Sequence, residues 1–203
     1  AVGAMDQAMG RVLDTLDREG LADNTSVLFF SDNGGAVYAI GGADNAPLRG
    51  GKGDTFEGGI RVVAAMRWPE KIPMGSRVDS IMSVMDVLPT LASAAGIDAD
   101  TQFRLDGRNM LPALIDGQTM PREKLLFFIS ETPFKNHVNV TAFNDEWKLI
   151  QRIETGFSSV DVTQFLFNIA EDPHEHNNLA QQHPDIVADL ADEIRHWRNL
   201  YPV

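Results

Sequence analysis

Two short blocks hold the residues of this chain that could do chemistry. In the first, an apolar run, Val27–Phe30, stops abruptly at Ser31, Asp32, Asn33, Gly34 and Gly35. An apolar run of this kind reads as a buried parallel strand. In open α/β sheets ligands bind beyond the carboxyl ends of such strands. Asp32 and Asn33 therefore offer two oxygen donors where a site is expected, and hard oxygens suit Ca²⁺, with Mg²⁺ second. In the second block, Lys52 stands among Gly50, Gly51 and Gly53. Glycines let backbone approach closely, and an ammonium is a compact charge for an oxyanion. Together the blocks predict a divalent cation and a lysine facing one anionic group.

The elements that must position these residues can be read from periodicity. Residues 3–19 carry Met5, Met9, Val12, Leu13 and Leu16 at helical spacing, with Gly20 as the stop. Residues 36–59 are glycine-rich and aperiodic, a loop long enough to imply function. Residues 62–66 read as a second buried strand. Asp86 is expected to cap a helix that runs to about Ala95, with Pro89 in its first turn and Gly96 closing it. Residues 98–123 read as connection. From residue 125 the texture turns strand-like, in runs 125–129, 138–143, 147–153 and 160–169, with Asn144 and Asp145 as a hairpin turn. Pro184 opens a final helix whose apolar stripe is Ile186, Leu190, Ile194, Trp197 and Tyr201. The expected organisation is an α/β part over 1–120 and a strand-rich part with a C-terminal helix over 121–203.

Composition bounds the function. Net charge is −12 over 203 residues, which argues against a nucleic-acid surface. Hydrophobic residues at 43% and charged ones at 23% suit a folded globular chain. No apolar run approaches the ~20 residues of a membrane span. There is no cysteine, so no disulfide and no thiol chemistry.

Five collinear segments resemble the sulfatases of the alkaline-phosphatase-like fold. LADNTSVLFFSDNGG, at 21–35, resembles the family's late metal-ligand strand, and APLRGGKGDTFEGGIRV, at 46–62, its sulfate-binding lysine segment. MRWPEKIPMGSRVDSIMSVMDVLPTLASAAGI at 66–97 and LDGRNMLPAL at 105–114 continue it. LFNIAEDPHEHNNLA, at 166–180, resembles its C-terminal strand and turn. The resemblance implies the end of a large mixed α/β sheet followed by a small antiparallel sheet packed by a C-terminal helix. It implies a sulfuric ester hydrolase of arylsulfatase type, with Asp32 and Asn33 as metal ligands and Lys52 as the catalytic, sulfate-binding cation. Asn33 favours one hard cation, since two-metal phosphatases of the superfamily tend to place histidine there. Asp44, Asn45 and His137 are lesser candidates for contact with the organic part of the substrate. Arg49, Glu57 and Arg61 are expected to brace the loop through ion pairs. His174 and His176 are expected in a surface turn rather than on a metal.

The family's Cys/Ser-x-Pro-x-Arg signature, which supplies the formylglycine nucleophile, does not occur here. The expectation is therefore a C-terminal portion whose partner is the missing N-terminal half, inactive by itself and inclined to associate. The family suggests a periplasmic, secreted or lysosomal setting. Two alternatives stay open: a phosphonate or phosphodiester hydrolase of the same superfamily, and a non-catalytic sulfatase-like module.

Overall fold

The computed structural model describes residues 2–40, 42–97, 105–131, 136–155 and 159–199. Contacts divide the chain into two units. One joins Ala1–Phe30 to Ala64–Pro121; the other joins Ser31–Val63 to Arg122–Val203. The glycine-rich loop thus clusters with the strand-rich C-terminal segment.

In the first unit, helix α1 (Val2–Arg18) ends at Gly20, whose φ of 67° makes the left-handed stop. Strand β1 spans Val27–Phe30, as its apolar run predicts. It pairs antiparallel with β2 (Ala64–Arg67), Val27 opposite Arg67 and Phe30 opposite Ala64. Two expectations are corrected here. Among the described residues the pair is antiparallel rather than part of a parallel sheet, and none of its residues is buried. The α1 helix also buries nothing, and Met5 and Val12 on its apolar stripe are exposed. A run of apolar residues records that a strand should be covered on both faces, not what covers it.

Helix α3 (Val87–Ala94) follows a 3-10 turn, Val84–Asp86, and Gly96 closes it with φ 74°. Asp86 does not cap α3 with its side chain. It completes a capping box with Ser83 on the 3-10 turn and also accepts the Arg108 N–H at 2.9 Å. The connecting segment contains a helix that periodicity alone did not reveal, α4 (Leu111–Asp116), which has Pro112 in its first turn and ends at Gly117 with φ 66°. Six residues are too few to display a 3.6-residue repeat.

The second unit is a four-stranded antiparallel meander in the order β3 (Leu126–Glu131), β4 (His137–Phe143), β5 (Trp147–Thr155), β6 (Val160–Asn168). The Asn144 side chain receives the N–H groups of Glu146 and Trp147 and forms the β4–β5 turn. Alternation along the strands gives the sheet two faces. Val140, Ala142, Leu149 and Leu166 fill one face. They pack against Val187, Leu190 and Ile194 of α5 (Pro184–Asn199), with Trp197 stacked on Phe127 at 5.0 Å. This apolar layer is the core of the second unit. Register places His137, Asn139, Thr141 and Phe143 of β4 on the other face, opposite Glu154, Arg152, Ile150 and Lys148 of β5. That face is far more polar, and the glycine-rich loop packs on it.

Candidate sulfate and metal site

The loop is built around close backbone contacts. Gly34 N–H donates to Gly59 C=O at 2.9 Å, and Lys52 N–H to Gly35 C=O at 3.0 Å. A β-carbon at Gly34 would lie 1.8 Å from the Gly58 carbonyl oxygen, so no other residue fits there. These bonds hold the segment that follows Asp32 and Asn33 directly against the segment that carries Lys52. Gly53, with φ 83°, turns the chain just after the lysine, and its carbonyl accepts the Ser130 hydroxyl from β3.

Beneath the loop lies a buried ionic cluster. Glu57 opens helix α2 (Glu57–Ile60). Its carboxylate accepts the Lys148 ammonium of β5 at 2.9 Å, and the same ammonium lies 2.8 Å from the Glu175 carboxylate. Lys148 and Glu175 are fully buried and Glu57 nearly so. The second Glu175 oxygen accepts the Glu57 backbone N–H at 2.7 Å. Arg49 donates to the Glu175 backbone carbonyl at 3.0 Å, while its guanidinium lies 4.1 Å over the Phe56 ring. Phe56 in turn packs edge-on against Phe165 and Phe167 of β6. Arg61 reaches Glu57 at 3.7 Å. Burial pushes the Glu175 carboxyl above its ordinary range, with Lys148 opposing the shift.

Of the bracing residues expected from sequence, Glu57 and Arg61 do form an ion pair. Arg49 braces through a carbonyl and an aromatic ring instead. The two residues that matter most to this brace, Lys148 and Glu175, were not singled out. Their signal is faint: Lys148 stands between Trp147 and Leu149 in a strand that also carries Gln151 and Arg152, and Glu175 is one acid in an acidic turn.

The candidate chemical residues sit differently. Lys52 is exposed, and among the described residues no acid pairs with its ammonium. Asp32 is exposed; its Oδ1 accepts the Asn33 N–H at 3.0 Å. Asn45 is occupied within the loop: its Oδ1 accepts the Gly35 N–H, and its Nδ2 donates to the Gly35 and Gly50 carbonyls, all at 3.0 Å. Asp44 is exposed and makes a local turn to the Ala46 N–H. His137, half-buried, shares its sheet face with Asn139, which register sets opposite Ser130, the residue bonded to Gly53. His174 and His176 lie 5.5 Å apart in a turn closed by Asp172, whose carboxylate accepts the Asn177 N–H.

The sequence matches the sulfatase family model over residues 1–97 and the model of the N-sulphoglucosamine sulphohydrolase C-terminal region over 52–199. The chain belongs to the sulfatases. Rat steryl-sulfatase is 44% identical over 133 residues, 63% of this chain and 23% of that protein. Human N-acetylgalactosamine-6-sulfatase is 38% identical over 124 residues, 60% of this chain and 24% of that protein. The chain thus spans about a quarter of the curated relatives it matches. Among solved structures, the crystal structure of Ps i-CgsB superimposes with TM-score 0.82 at 31% identity, over 97% of this chain and 41% of that one. The PsFucS1 sulfatase from Pseudoalteromonas sp. superimposes with TM-score 0.73 at 21% identity, over 97% of this chain and 42% of that one, which speaks to fold alone. The fold is the alkaline-phosphatase-like sulfatase fold, represented here by its C-terminal portion.

Sulfatases imply a metal ion and a formylglycine. Asp32 and Asn33 fit a hard cation in donor type: both are oxygen donors, and Asp32 is open to solvent. They do not complete a shell. Ca²⁺ takes six to eight oxygens, and among the described residues no three His, Cys, Asp or Glu cluster as a metal site. The chain has no cysteine to furnish the formylglycine.

Proposed function

We propose that the intact protein hydrolyses sulfate esters in the arylsulfatase manner. In this reading 1–120 is the end of its large α/β domain and 121–203 a strand-rich subdomain. Lys52 binds the sulfuryl group, and Asp32 and Asn33 are two of the oxygen ligands of one hard cation, Ca²⁺ before Mg²⁺. The observation that carries this reading is Lys52 itself: an exposed ammonium, paired with no acid among the described residues, beside the Asp32–Asn33 segment and on a loop braced from beneath by buried charge.

As the S–O bond to the alcohol breaks, negative charge grows on the oxygens, and a fixed ammonium stabilises it without reorganising solvent. Lys52 supplies that charge. A cation held in part by Asp32 and Asn33 would add Lewis-acid polarisation of a sulfuryl oxygen. The nucleophile, the remaining ligands and the acid for the leaving group come from outside this chain, in the N-terminal half that we propose as its partner. The nature of the alcohol is a second question. Ps i-CgsB, 31% identical over nearly the whole chain, has been solved with k-i-k-neocarrahexaose, which favours a carbohydrate sulfate over a simple aryl sulfate. Asp44 and His137 are then the candidates of this chain for contact with a sugar. The test is a panel of aryl sulfate, sulfated oligosaccharide, phosphodiester and phosphonate, assayed with the intact protein and its Lys52→Ala variant. Lysine-dependent cleavage of a sulfate ester supports the proposal. Preference for a phosphodiester or phosphonate would move the protein to the neighbouring activity. No turnover of any of them would favour a non-catalytic module.

A further inference from the structure

We infer that Glu175 and Lys148 are positioning residues for the sulfate-binding lysine, acting as a clamp under its loop. The inference rests on the sulfate-binding reading of Lys52. The loop that bears Lys52 has little regular structure of its own; its one helix, α2, is four residues long and has no side-chain cap from Phe56. What holds it is remote in sequence. Glu175, 118 residues away, accepts the first N–H of α2, and its backbone carbonyl accepts Arg49, three residues before Lys52. Lys148 bonds Glu57 from below through a chain separation of 91 residues. Both ends of the segment 49–57 are therefore pinned to one residue, and Lys52 rides on the span between.

Glu175 is also the one non-glycine among the described residues with positive φ, at 59°. A side chain there is strained, and such strain persists where the surroundings over-determine the residue. A glycine would adopt the same turn freely, so the retained carboxylate answers to its contacts. Burying a second acid beside a single ammonium also opposes folding, as the raised Glu175 pKa records. Glu57 and Glu175 both lie against Lys148, but only Glu175 also bonds the loop backbone with its carboxylate.

This separates positioning from mere stability. Glu175→Gly keeps the turn, removes its strain and leaves a neutral Glu57–Lys148 pair, so the variant is expected to fold. Glu175→Gln retains an acceptor for the Glu57 N–H. In the intact protein, the dissociation constant for inorganic sulfate is measured by calorimetry, alongside KM and kcat for a sulfate ester, with circular dichroism to confirm the fold. Glu175→Gly is expected to weaken sulfate binding about tenfold or more and to raise KM in parallel, while Glu175→Gln stays within about threefold of the parent. A folded Glu175→Gly with parental sulfate affinity overturns the clamp, as does a merely smaller active fraction with unchanged constants. Should Glu175→Gly not fold, Glu175→Asp, with its shorter reach, is judged by the same constants. Sulfate binding that is insensitive to Lys52→Ala would instead defeat the underlying assignment of the lysine, a result distinct from failure of the clamp.

Discussion

The two sheets of this chain were equally visible in sequence and are very differently supported in the structure. The four-stranded sheet is covered on one face by α5 and on the other by the lysine loop, and its central residues Val140, Leu149, Ile150 and Leu166 are fully buried. The β1–β2 pair contains no buried residue, and α1 contributes none. Apolar patterning states what a segment can bury. Burial itself needs a neighbour: α5 and the lysine loop supply one to the four-stranded sheet, whereas among the described residues β1, β2 and α1 stay unburied. That accords with a chain spanning about a quarter of its curated relatives. The proposed N-terminal half is the expected cover for the first unit.

The sharpest way to break this comparison is hydrogen exchange on the 203-residue chain alone. Amides of β4, β5 and β6 are expected to be protected by orders of magnitude more than those of β1 and β2, because local opening follows burial. Equal protection in the two sheets would sink the contrast. Truncation should repeat it: Leu149→Ala in the full core costs about 2–5 kcal/mol, whereas Leu13→Ala on unburied α1 costs a fraction of that in this chain. In the intact protein the Leu13 cost should rise, and a cost that stays small would deny the helix a covering partner.

The site lies on the well-supported side of the comparison, so its chemistry can be tested apart from folding. Lys52→Ala in the intact protein is expected to lower turnover by two to three orders of magnitude, about 3 kcal/mol of transition-state stabilisation, with the thermal midpoint nearly unchanged. An exposed lysine that pairs with no acid among the described residues offers little stability to lose. Near-parental turnover would refute its role. Asp32→Ala and Asn33→Ala should each reduce bound calcium in elemental analysis. Unchanged metal in both would remove them as ligands.

The buried cluster gives a smaller effect with a defined sign. The Glu175 pKa is raised above its reference of 4.5, so the folded state holds that proton more tightly than the unfolded state. The associated stability is fully present below about pH 4.5 and is lost as pH rises through the raised value. Denaturation midpoints measured across pH should therefore show Glu175→Gln gaining on the parent as pH climbs above 4.5. A constant difference across that window would mean that the carboxyl titrates alike in both states.

Much of the architecture was legible before any coordinates. Val27–Phe30 and the four later strands follow their apolar runs to within a few residues, because period-two alternation and turn chemistry are local. The lysine and the two oxygen ligands proposed for the site were legible as motifs, through resemblance. Long-range partnership was not. Nothing within the local sequence announces that Glu175 meets Glu57 across 118 residues or that Lys148 meets Glu57 across 91, since such contacts leave no periodic trace. The internal duty of Asn45 was hidden for the same reason: its partners are backbone groups, which every residue possesses. Pairing direction in β1–β2 failed because an apolar run is silent on it. Tyr201, the last residue of the predicted α5 stripe, lies outside the described residues.

The smallest expected effect contrasts the two units at the level of a single ion pair. Asp17 of α1 meets Arg67 of β2 at 2.7 Å, a shorter contact than Lys148 makes with Glu57. Distance alone would rank it the stronger. Its side chains, however, are 54% and 35% exposed, whereas Lys148 is wholly buried. Water and salt screen the first pair, and ordering two mobile side chains offsets what attraction remains. Asp17→Asn is therefore expected to change stability by under about 1 kcal/mol, and by still less at high ionic strength. Lys148→Met leaves Glu175 buried without a base and Glu57 with only the exposed Arg61, and should cost about 3–5 kcal/mol with weak salt dependence. Unfolding both variants at low and high salt in the intact protein reads the two predictions together. If Asp17→Asn costs as much as Lys148→Met, the first unit is held by more than its exposed contacts indicate, and the contrast drawn between the two sheets fails.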